Sequence, residues 1–254
     1  DGWLEAAIQV NSLVAVTDGS CMHSLYPQMN SCAFILECTK GRGRLTGAFS
    51  EQTIVACSYR GELLGLMAIH LILLSVNRVV PTLTGSVPIY SDCLGALDKI
   101  RNLPPHRIPS KCCHSNILKN VMLHCDSLTF KRLFSHISAH QDDRTKWENL
   151  TRAEQLNCAV DFGAKRILLR HDPAELPRQQ KFPLEAVCVW AGREKMTSDT
   201  GHYIRYYAHK QLAREEFAEA GILSNAQFDL VDWQVVHSTL SRVPRMFQVW
   251  ACKQ

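Results

Sequence analysis

The sequence predicts an α/β fold in which a mixed five-stranded sheet is flanked by helices and followed by a mostly helical C-terminal extension. Three strand-like segments separated by short turn signals come first, a pattern typical of antiparallel strands. Two further strand-like segments follow, each after a segment of helical periodicity, which is typical of parallel strands. In a chain of 254 residues, 46% hydrophobic and 20% charged residues indicate a folded globular protein rather than a disordered one.

Composition narrows the classes of function. The net charge of +4 permits a polyanionic partner without requiring one. The sequence has 11 cysteines, which is an odd number, and it has no Cys-x-x-Cys motif. We therefore expect reduced thiols in an intracellular protein, cytoplasmic or nuclear. Cys112-Cys113-His114 is the densest group of zinc-type ligands, but it lacks a second pair, and a zinc site is therefore not predicted.

Neither a membrane span nor a targeting segment is predicted. No run approaches about 18 uninterrupted apolar residues, so we expect no membrane partner. The sequence starts at Asp1-Gly2-Trp3, which resembles neither a signal peptide nor an initiator methionine. We therefore expect the chain to be a fragment of something longer.

The first strand is predicted over residues 13–17, where β-branched and apolar residues dominate. Asp18-Gly19-Ser20 is then expected to turn the backbone, because Asp-Gly is above all a turn dipeptide. The second strand is predicted over 31–37 and the third over 45–50, with a glycine-rich reversal between them.

The most secure helix is predicted over residues 59–76, which have helical apolar spacing and strong helix formers. It contains Glu62, placed in its first turn, where the helix dipole alone explains an acid. A short buried strand over 87–90 then ends at Ser91-Asp92. These two residues are the natural N-caps of a helix predicted over 94–100.

The remaining elements of this region complete the predicted sheet. After a basic linker over 103–109, a helix is expected over 115–125 and a strand over 130–137. That strand leads into the polar stretch Ser138-Ala139-His140-Gln141-Asp142-Asp143. A helix over 151–169 follows, with Thr151 and Glu154 forming a capping box and Asn157 and Asp161 on one face.

Four acids recur where strands end or helices begin, and they can converge on one edge of such a sheet. They are Asp18, Glu62, Asp92 and Asp161. Carboxylates brought close together repel one another unless divalent cations neutralise them, which implies magnesium before calcium. Two such ions about 4 Å apart can hold a scissile phosphate, one activating water and the other stabilising the leaving oxygen.

The ordered motifs resemble those of ribonuclease H domains, and most closely those of eukaryotic retrotransposon reverse transcriptases. Each motif alone is weak, but their order is specific and spans roughly residues 12 to 170. The matching pieces are Thr17-Asp18-Gly19-Ser20, Arg60-Gly61-Glu62-Leu63, Tyr90-Ser91-Asp92-Cys93, Ala139-His140-Gln141-Asp142-Asp143 and Gln155-Leu156-Asn157-Cys158-Ala159-Val160-Asp161.

The resemblance implies hydrolysis of the RNA strand of an RNA–DNA hybrid by two Mg²⁺ ions, with Mn²⁺ as an alternative. It also implies an upstream reverse transcriptase domain in the same polyprotein. The four acids would be the metal ligands, and His140 would assist water activation or product release. The implied substrate contacts are Gly19, Ser20, Cys93 and Asn157.

Two features depart from the family pattern. The 21 residues from His140 to Asp161 form a longer connection than in compact members, which leaves the position of the histidine open. Cys93 stands where serine is commoner. Two alternative functions also remain: a catalytically silent module that binds nucleic acid, and an integrase-like or transposase-like DNA nuclease on the same fold.

The predicted domains are a nuclease domain over 12–170, a proline-containing linker over 171–183 and an extension over 184–254. The extension is expected to contain a hairpin, with strands at 184–190 and 195–197, and helices over 201–219 and 231–252. A basic aromatic cluster in the first of these helices either grips nucleic acid or packs its tyrosines in a core. The cluster consists of His202, Tyr203, Arg205, Tyr206, Tyr207, His209 and Lys210.

Overall fold

A computed structural model describes residues 2–53, 55–109, 111–170, 179, 181–185, 187–191, 194–197, 200–242 and 244. Two compact units divide the chain, one over Asp1–Thr200 and the other over Gly201–Gln254. The first unit therefore includes the start of the predicted extension. Most of the predicted linker over 171–183 lies outside the described residues, and the proposed domain boundaries stay predictions.

The first unit is built on a five-stranded mixed sheet in the order β3-β2-β1-β4-β5. Strands β1, β2 and β3 are antiparallel neighbours, whereas β4 is parallel to β1 and β5 is parallel to β4. The predicted fold class is confirmed. The strands are β1 (Leu13–Ser20), β2 (Met29–Cys38), β3 (Arg44–Gln52), β4 (Ser86–Ser91) and β5 (Lys131–His136).

Helices flank this sheet as predicted, with one addition that the periodicity did not indicate, the N-terminal α1. Short 3-10 helices also occupy Pro105–Arg107, Gln141–Asp143 and Trp147–Asn149. The helices of the first unit are α1 (Trp3–Gln9), α2 (Ser58–Val79), α3 (Leu94–Asn102), α4 (Ser115–Asp126) and α5 (Arg152–Arg170).

The turn predicted at Asp18-Gly19-Ser20 is wrong, because β1 continues through these residues. They pair with β2, Asp18 opposite Ala33 and Ser20 opposite Ser31. The ladder hydrogen bonds of an interior strand satisfy the backbone and override the local turn preference of Asp-Gly. Asp18 therefore sits on a rigid strand and not on a turn.

Helix α2 forms the centre of the main core. It is long and apolar enough to cross a membrane by length and composition alone, but its apolar residues pack in the core between the sheet and α4, with Leu63, Leu66 and Ile69 fully buried. Because α2 begins at Ser58, Glu62 lies in the second turn. The prediction that placed it in the first turn, within reach of the helix dipole, is wrong.

Helix α5 covers the other face of the sheet. Leu156, Val160 and Ala164 pack against Val14 and Val16 of β1. Because side chains alternate along a strand, Leu13 and Ala15 face the α2 core, and β1 is buried on both faces. Because β1 is packed on both faces, the side chains at its carboxyl end are held in fixed positions.

The two predicted helix caps have different outcomes. The capping box of α5 is confirmed, since the Thr151 backbone N–H donates to Glu154 at 2.7 Å and the Glu154 N–H donates to Thr151 Oγ1 at 3.4 Å. The cap predicted for α3 is wrong. Cys93 occupies the N-cap position and makes no side-chain capping bond, which leaves the Asp92 carboxylate available for another role.

Residues 181–197 belong to the first unit and contact α4. The backbone N–H of Leu184 donates to Asn120 at 3.2 Å, and Glu185 pairs with the buried ammonium of Lys195. The predicted hairpin is present in a shorter form, β6 (Trp190–Ala191) paired with β7 (Glu194–Lys195).

The second unit is helical, with α6 (Thr200–Glu219), α7 (Asn225–Leu230) and α8 (Trp233–Ser241). The bounds of the helix predicted over 231–252 are wrong, because α8 begins at Trp233 and ends at Ser241. The short helix α7, which was not predicted, precedes it. Phe217, Phe228 and Trp233 pack their rings together. Phe247 and Trp250, which were expected to extend this apolar face, lie outside the described residues.

Candidate active site

The site begins where β1 and α2 approach closely. A Cβ on Gly19 would lie 2.7 Å from the Ser58 carbonyl oxygen, and a Cβ on Gly61 would lie 2.9 Å from the Gly19 Cα. Side chains do not fit at either position, so two glycines let strand and helix backbones touch. This contact brings the next residue of α2, Glu62, beside the end of β1.

Hydrogen bonds fix the Glu62 carboxylate at both oxygens. The Gly19 backbone N–H donates to Glu62 Oε1 at 2.6 Å and also to Asp18 Oδ1 at 2.8 Å. The Ser91 hydroxyl, at the end of β4, donates to Glu62 Oε2 at 3.2 Å. Glu62 is therefore oriented by both strands that flank it, and one amide links it to Asp18.

Asp92 follows the end of β4, which is parallel to β1 and adjacent to it. The carboxyl ends of adjacent parallel strands meet at one edge of a sheet, so Asp92 is delivered next to Asp18. The backbone N–H of Cys93 donates to Ser91 Oγ at 3.0 Å and tightens this turn. As a result, Asp18, Glu62 and Asp92 offer ligand atoms that all lie within 4.8 Å of one another.

These acids line an open cavity of about 390 Å³ that also contains the other predicted site residues. The remaining predicted residues on its wall are Gly19, Ser20, Cys93, His140, Asn157 and Asp161. The cavity thus brings together every candidate catalytic, metal-binding and substrate-binding residue, including His140, whose position the long connection had left open.

Burial and mutual repulsion change the acidity of the clustered carboxyl groups. Burial raises the pKa of Asp18 to about 6; the hydrogen bond with Glu62 opposes this rise, while the charges of Asp92 and Asp161 add to it. Burial, together with the neighbouring Asp18, raises the pKa of Glu62 well above its ordinary value. Burial also raises the pKa of Asp92. Divalent cations would relieve this electrostatic cost.

Asp161 lies on α5, on the opposite wall, and two nitrogen-bearing side chains approach its Oδ2 atom. Lys165 Nζ is 2.8 Å from this oxygen, and His140 Nδ1 is 3.9 Å from it. His140 follows β5 on the loop before the 3-10 helix at Gln141–Asp143, and its own backbone is left-handed, with φ of 52°. The imidazole is exposed to solvent and lies beside the acids.

Asn157 is almost fully buried, and its Oδ1 atom has no hydrogen-bond partner among the described residues. It lies one helical turn before Asp161 on the wall of the cavity. An unpartnered polar atom next to a cavity is suited to a ligand or a water molecule. The substrate contact predicted for Asn157 stays a prediction.

Several cavity residues were missed by sequence reasoning. Ser58, Tyr59 and Cys21 line the cavity, yet they belong to no pattern that single-sequence analysis recognises. Lys165 also lines it, and a signal was present, because a lysine four residues after an aspartate is the usual spacing of a helical ion pair. Ser91 was expected as a helix cap, whereas it orients Glu62.

The arrangement is suited to holding divalent cations. The donors are carboxylate oxygens, which hard cations such as Mg²⁺ prefer. Burial raises the pKa of Asp18 and Glu62, and neighbouring acids add to the rise, so a cation that neutralised these carboxylates would lower the cost of holding them together. The cavity is open, so a large substrate can reach these oxygens.

Comparison with known proteins gives matches to solved structures alone. No family model matches the sequence, and no curated protein matches it. RNase H1 of the archaeon Halobacterium salinarum is 13% identical, with a TM-score of 0.42, covering 63% of this chain and 98% of that one. The RNase H domain of prototype foamy virus is 14% identical, with a TM-score of 0.45, covering 62% of this chain and 94% of that one.

The foamy virus protease-reverse transcriptase is 13% identical, with a TM-score of 0.43, and the match covers 63% of this chain but only 21% of that one. Because these TM-scores are below 0.5, the fold assignment rests on the chain's own topology. That topology, three antiparallel strands followed by two parallel ones in the order β3-β2-β1-β4-β5 with helices on both faces, is the fold class predicted from the sequence.

Proposed function

We propose that this protein is an endoribonuclease that hydrolyses the RNA strand of RNA–DNA hybrids with divalent metal ions. The observation that carries the proposal is the convergence of Asp18, Glu62 and Asp92 within 4.8 Å, in a cavity that also contains Asp161 and His140. Four acids and a histidine in this order along the chain are the ribonuclease H motif set, whereas fold alone does not select a substrate.

In this proposal Asp18, Glu62, Asp92 and Asp161 hold two Mg²⁺ ions, with Mn²⁺ as an alternative. When bound, such ions activate a water molecule and stabilise the leaving oxygen of the phosphodiester. The Gly19 amide and the Ser91 hydroxyl keep Glu62 in its orientation. Preorganised carboxylates need little rearrangement during the reaction, which is how such a site lowers the barrier.

The other cavity residues have roles in proton transfer and substrate binding. His140 is exposed and lies 3.9 Å from Asp161 Oδ2, where it can carry a proton between the reacting groups and solvent. Asn157 has an unpartnered Oδ1 atom and contacts the nucleic acid or its bound water. Gly19, Ser20 and Cys93 line the same wall and complete the substrate contacts.

The finer assignment follows the sequence resemblance. We place the chain in a eukaryotic retrotransposon polyprotein, after a reverse transcriptase domain, in the cytoplasm or nucleus. In this proposal, the substrate is the RNA–DNA hybrid that the reverse transcriptase domain synthesises. One foamy virus protease-reverse transcriptase structure is described as a complex with an RNA/DNA hybrid, and another as a complex with double-stranded DNA.

The test is a cleavage assay on end-labelled hybrid, duplex DNA and duplex RNA, each with Mg²⁺, Mn²⁺ or a chelator. We expect metal-dependent cleavage of the RNA strand of the hybrid. Asp92→Asn should abolish it and leave the fold intact, because it removes a charge from a repulsive cluster. Asp98→Asn is the matched control, since Asp98 is an exposed acid on α3, which follows Asp92 directly.

Each other outcome contradicts the proposal in a defined way. Nicking of duplex DNA would select the integrase-like alternative. A folded, metal-replete protein that cleaves none of the three substrates would select the silent binding module. Unchanged turnover in Asp92→Asn would show that Asp92 has no role in catalysis.

A further inference from the structure

A lysine is part of the acidic cavity. Lys165 lies on α5 one helical turn after Asp161, and its Nζ is 2.8 Å from Asp161 Oδ2. Among the described residues that line the cavity, Lys165 is the sole lysine or arginine. Its side chain is 40% exposed and that of Asp161 is 25% exposed, so this ion pair lines the cavity and is partly open to solvent.

Asp161 differs from the other three acids in what it contacts. Asp18, Glu62 and Asp92 offer oxygens to one another within 4.8 Å, and Asp161 is not a member of this compact group. Besides its interaction with Asp18, its Oδ2 atom faces an ammonium group at 2.8 Å and an imidazole at 3.9 Å. The carboxylate that completes the candidate metal site is therefore already paired with a cation of the protein.

Electrostatics makes this pairing consequential for metal binding. A divalent cation and an ammonium group cannot occupy the same side of one carboxylate oxygen, because like charges repel strongly at such distances. Among the described residues, the hydrogen-bond donors to the three-acid group are the Gly19 amide and the Ser91 hydroxyl and not a lysine or arginine, while the charges of His136 and His140 act on Asp92. A divalent cation should therefore bind more favourably at the three-acid group than at Asp161.

We propose that Lys165 is a resident cation that competes with the second divalent ion for Asp161. The first ion binds at Asp18, Glu62 and Asp92, and the second binds only as the Lys165 ammonium leaves Asp161. Lys165 is then a positioning residue that sets the order and the affinity of metal loading. This inference rests on the proposed function, since it takes the four acids to be metal ligands.

The test measures metal binding directly, without nucleic acid. Mn²⁺ is titrated at neutral pH into the full chain and its variants, and the free ion is counted by electron paramagnetic resonance. We expect the parent to bind one Mn²⁺ tightly and a second weakly. Lys165→Met should tighten the second site by about tenfold or more, as removal of a unit charge within about 4 Å implies, and leave the first nearly unchanged.

Two further variants separate the local effect from others. Arg166→Met removes the same charge from the next residue of α5, which is exposed and does not line the cavity, and it should leave both Mn²⁺ affinities close to the parent. Lys165→Gln repeats the test if the methionine variant does not fold. Circular dichroism establishes folding for each variant.

The inference is overturned if Lys165→Met or Lys165→Gln binds the second Mn²⁺ as weakly as the parent. It is also overturned if Arg166→Met tightens that site equally, because the effect would then be one of net charge. A folded parent that binds no Mn²⁺ at all would contradict the proposed function itself. The two failures are distinguishable, because the first abolishes all Mn²⁺ binding, whereas the second leaves tight binding at the first site and an unchanged affinity at the second.

Discussion

The backbone amide of Gly19 and the carboxylate of Glu62 form a 2.6 Å hydrogen bond, although 43 residues separate them in the chain. The same amide donates to Asp18, so one backbone group orients two acids from different elements. This geometry requires β1 and α2 to touch through glycine. The acids are thus positioned by backbone contact, which is more rigid than contact between side chains.

The first prediction follows from this contact. Gly19→Ala places a Cβ 2.7 Å from the Ser58 carbonyl oxygen and 2.5 Å from the Gly61 carbonyl carbon. Backbone atoms cannot move away cheaply, so the variant should lose about 1 to 3 kcal/mol of unfolding free energy. Because Glu62 is displaced with the helix, metal affinity should fall as well. Urea unfolding and Mn²⁺ titration measure the two effects.

Gly95→Ala is the control for that substitution. Gly95 lies in the first turn of α3, and a Cβ there would meet no atom within 4 Å. Alanine is the better helix former, so stability should be unchanged or rise by up to about 1 kcal/mol. Equal stability of Gly19→Ala and Gly95→Ala would contradict the close approach of β1 and α2.

The second prediction concerns pH. The folded-state pKa of Asp18, about 6, lies above its ordinary value of 3.8. Folding therefore favours the protonated carboxyl: this contribution to stability is fully present below the unfolded pKa and is lost as pH rises through about 6. The difference between the two pKa values corresponds to about 3 kcal/mol at most.

To measure it, urea unfolding of parent and Asp18→Asn is compared in chelator across this pH range. The parent should lose stability relative to the variant as pH rises from about 4 to about 7, by the order of 2 to 3 kcal/mol. Mg²⁺ added at neutral pH should restore the parent more than the variant. Parallel profiles for the two proteins would show that folding does not raise the pKa of Asp18.

The third prediction concerns His140. A proton carrier contributes about 10²-fold to 10⁴-fold to the rate, whereas a metal ligand is nearly indispensable. His140→Ala should therefore slow hybrid cleavage within that range while Mn²⁺ affinity stays close to the parent. His136→Ala is the matched control, because His136 ends β5 four residues earlier and does not line the cavity.

Two results would contradict the role of His140. Loss of Mn²⁺ binding by a folded His140→Ala variant would make the histidine or its loop part of the metal site. Unaffected turnover, combined with a slow His136→Ala variant, would transfer the proton-carrying role to His136.

The fourth prediction concerns the segment over 181–197. The Lys195 ammonium is fully buried and pairs with Glu185, whose side chain is 9% exposed. Glu185→Gln removes the negative charge beside this buried ammonium, so the variant should lose about 3 kcal/mol of unfolding free energy. Asp229→Asn is the comparison, because the Arg214–Asp229 pair is exposed and should be worth about 1 kcal/mol or less. Equal melting temperatures for the two variants would contradict this difference.

The sequence by itself determined the order and type of the strands and helices over residues 12–170. Apolar periodicity separates the strands from helices such as α2 and α5, and the Thr151–Glu154 capping box marks the start of α5. These signals are local, since each depends on residues within a few positions of one another. The four acids of the candidate site could also be identified from the sequence, because their order along the chain is itself a pattern.

Other features were decided by the tertiary structure. The Asp18-Gly19-Ser20 segment has the composition of a turn, and it is a strand because β2 supplies its hydrogen-bond partners. The α1 helix is short and has little periodicity, yet Ala7 and Ile8 are buried in the main core. In both places long-range packing outweighs local propensity, which a single sequence does not display.

The geometry of the candidate site was also decided by the tertiary structure. That Asp18, Glu62 and Asp92 come within 4.8 Å depends on the parallel pairing of β1 with β4 and on the contact between Gly19 and Gly61. The pairing of Lys165 with Asp161 has a local spacing, but its place inside the cavity depends on which face of α5 covers the sheet. Sequence named the chemical groups, and only folding set the distances and the burial that control their charge.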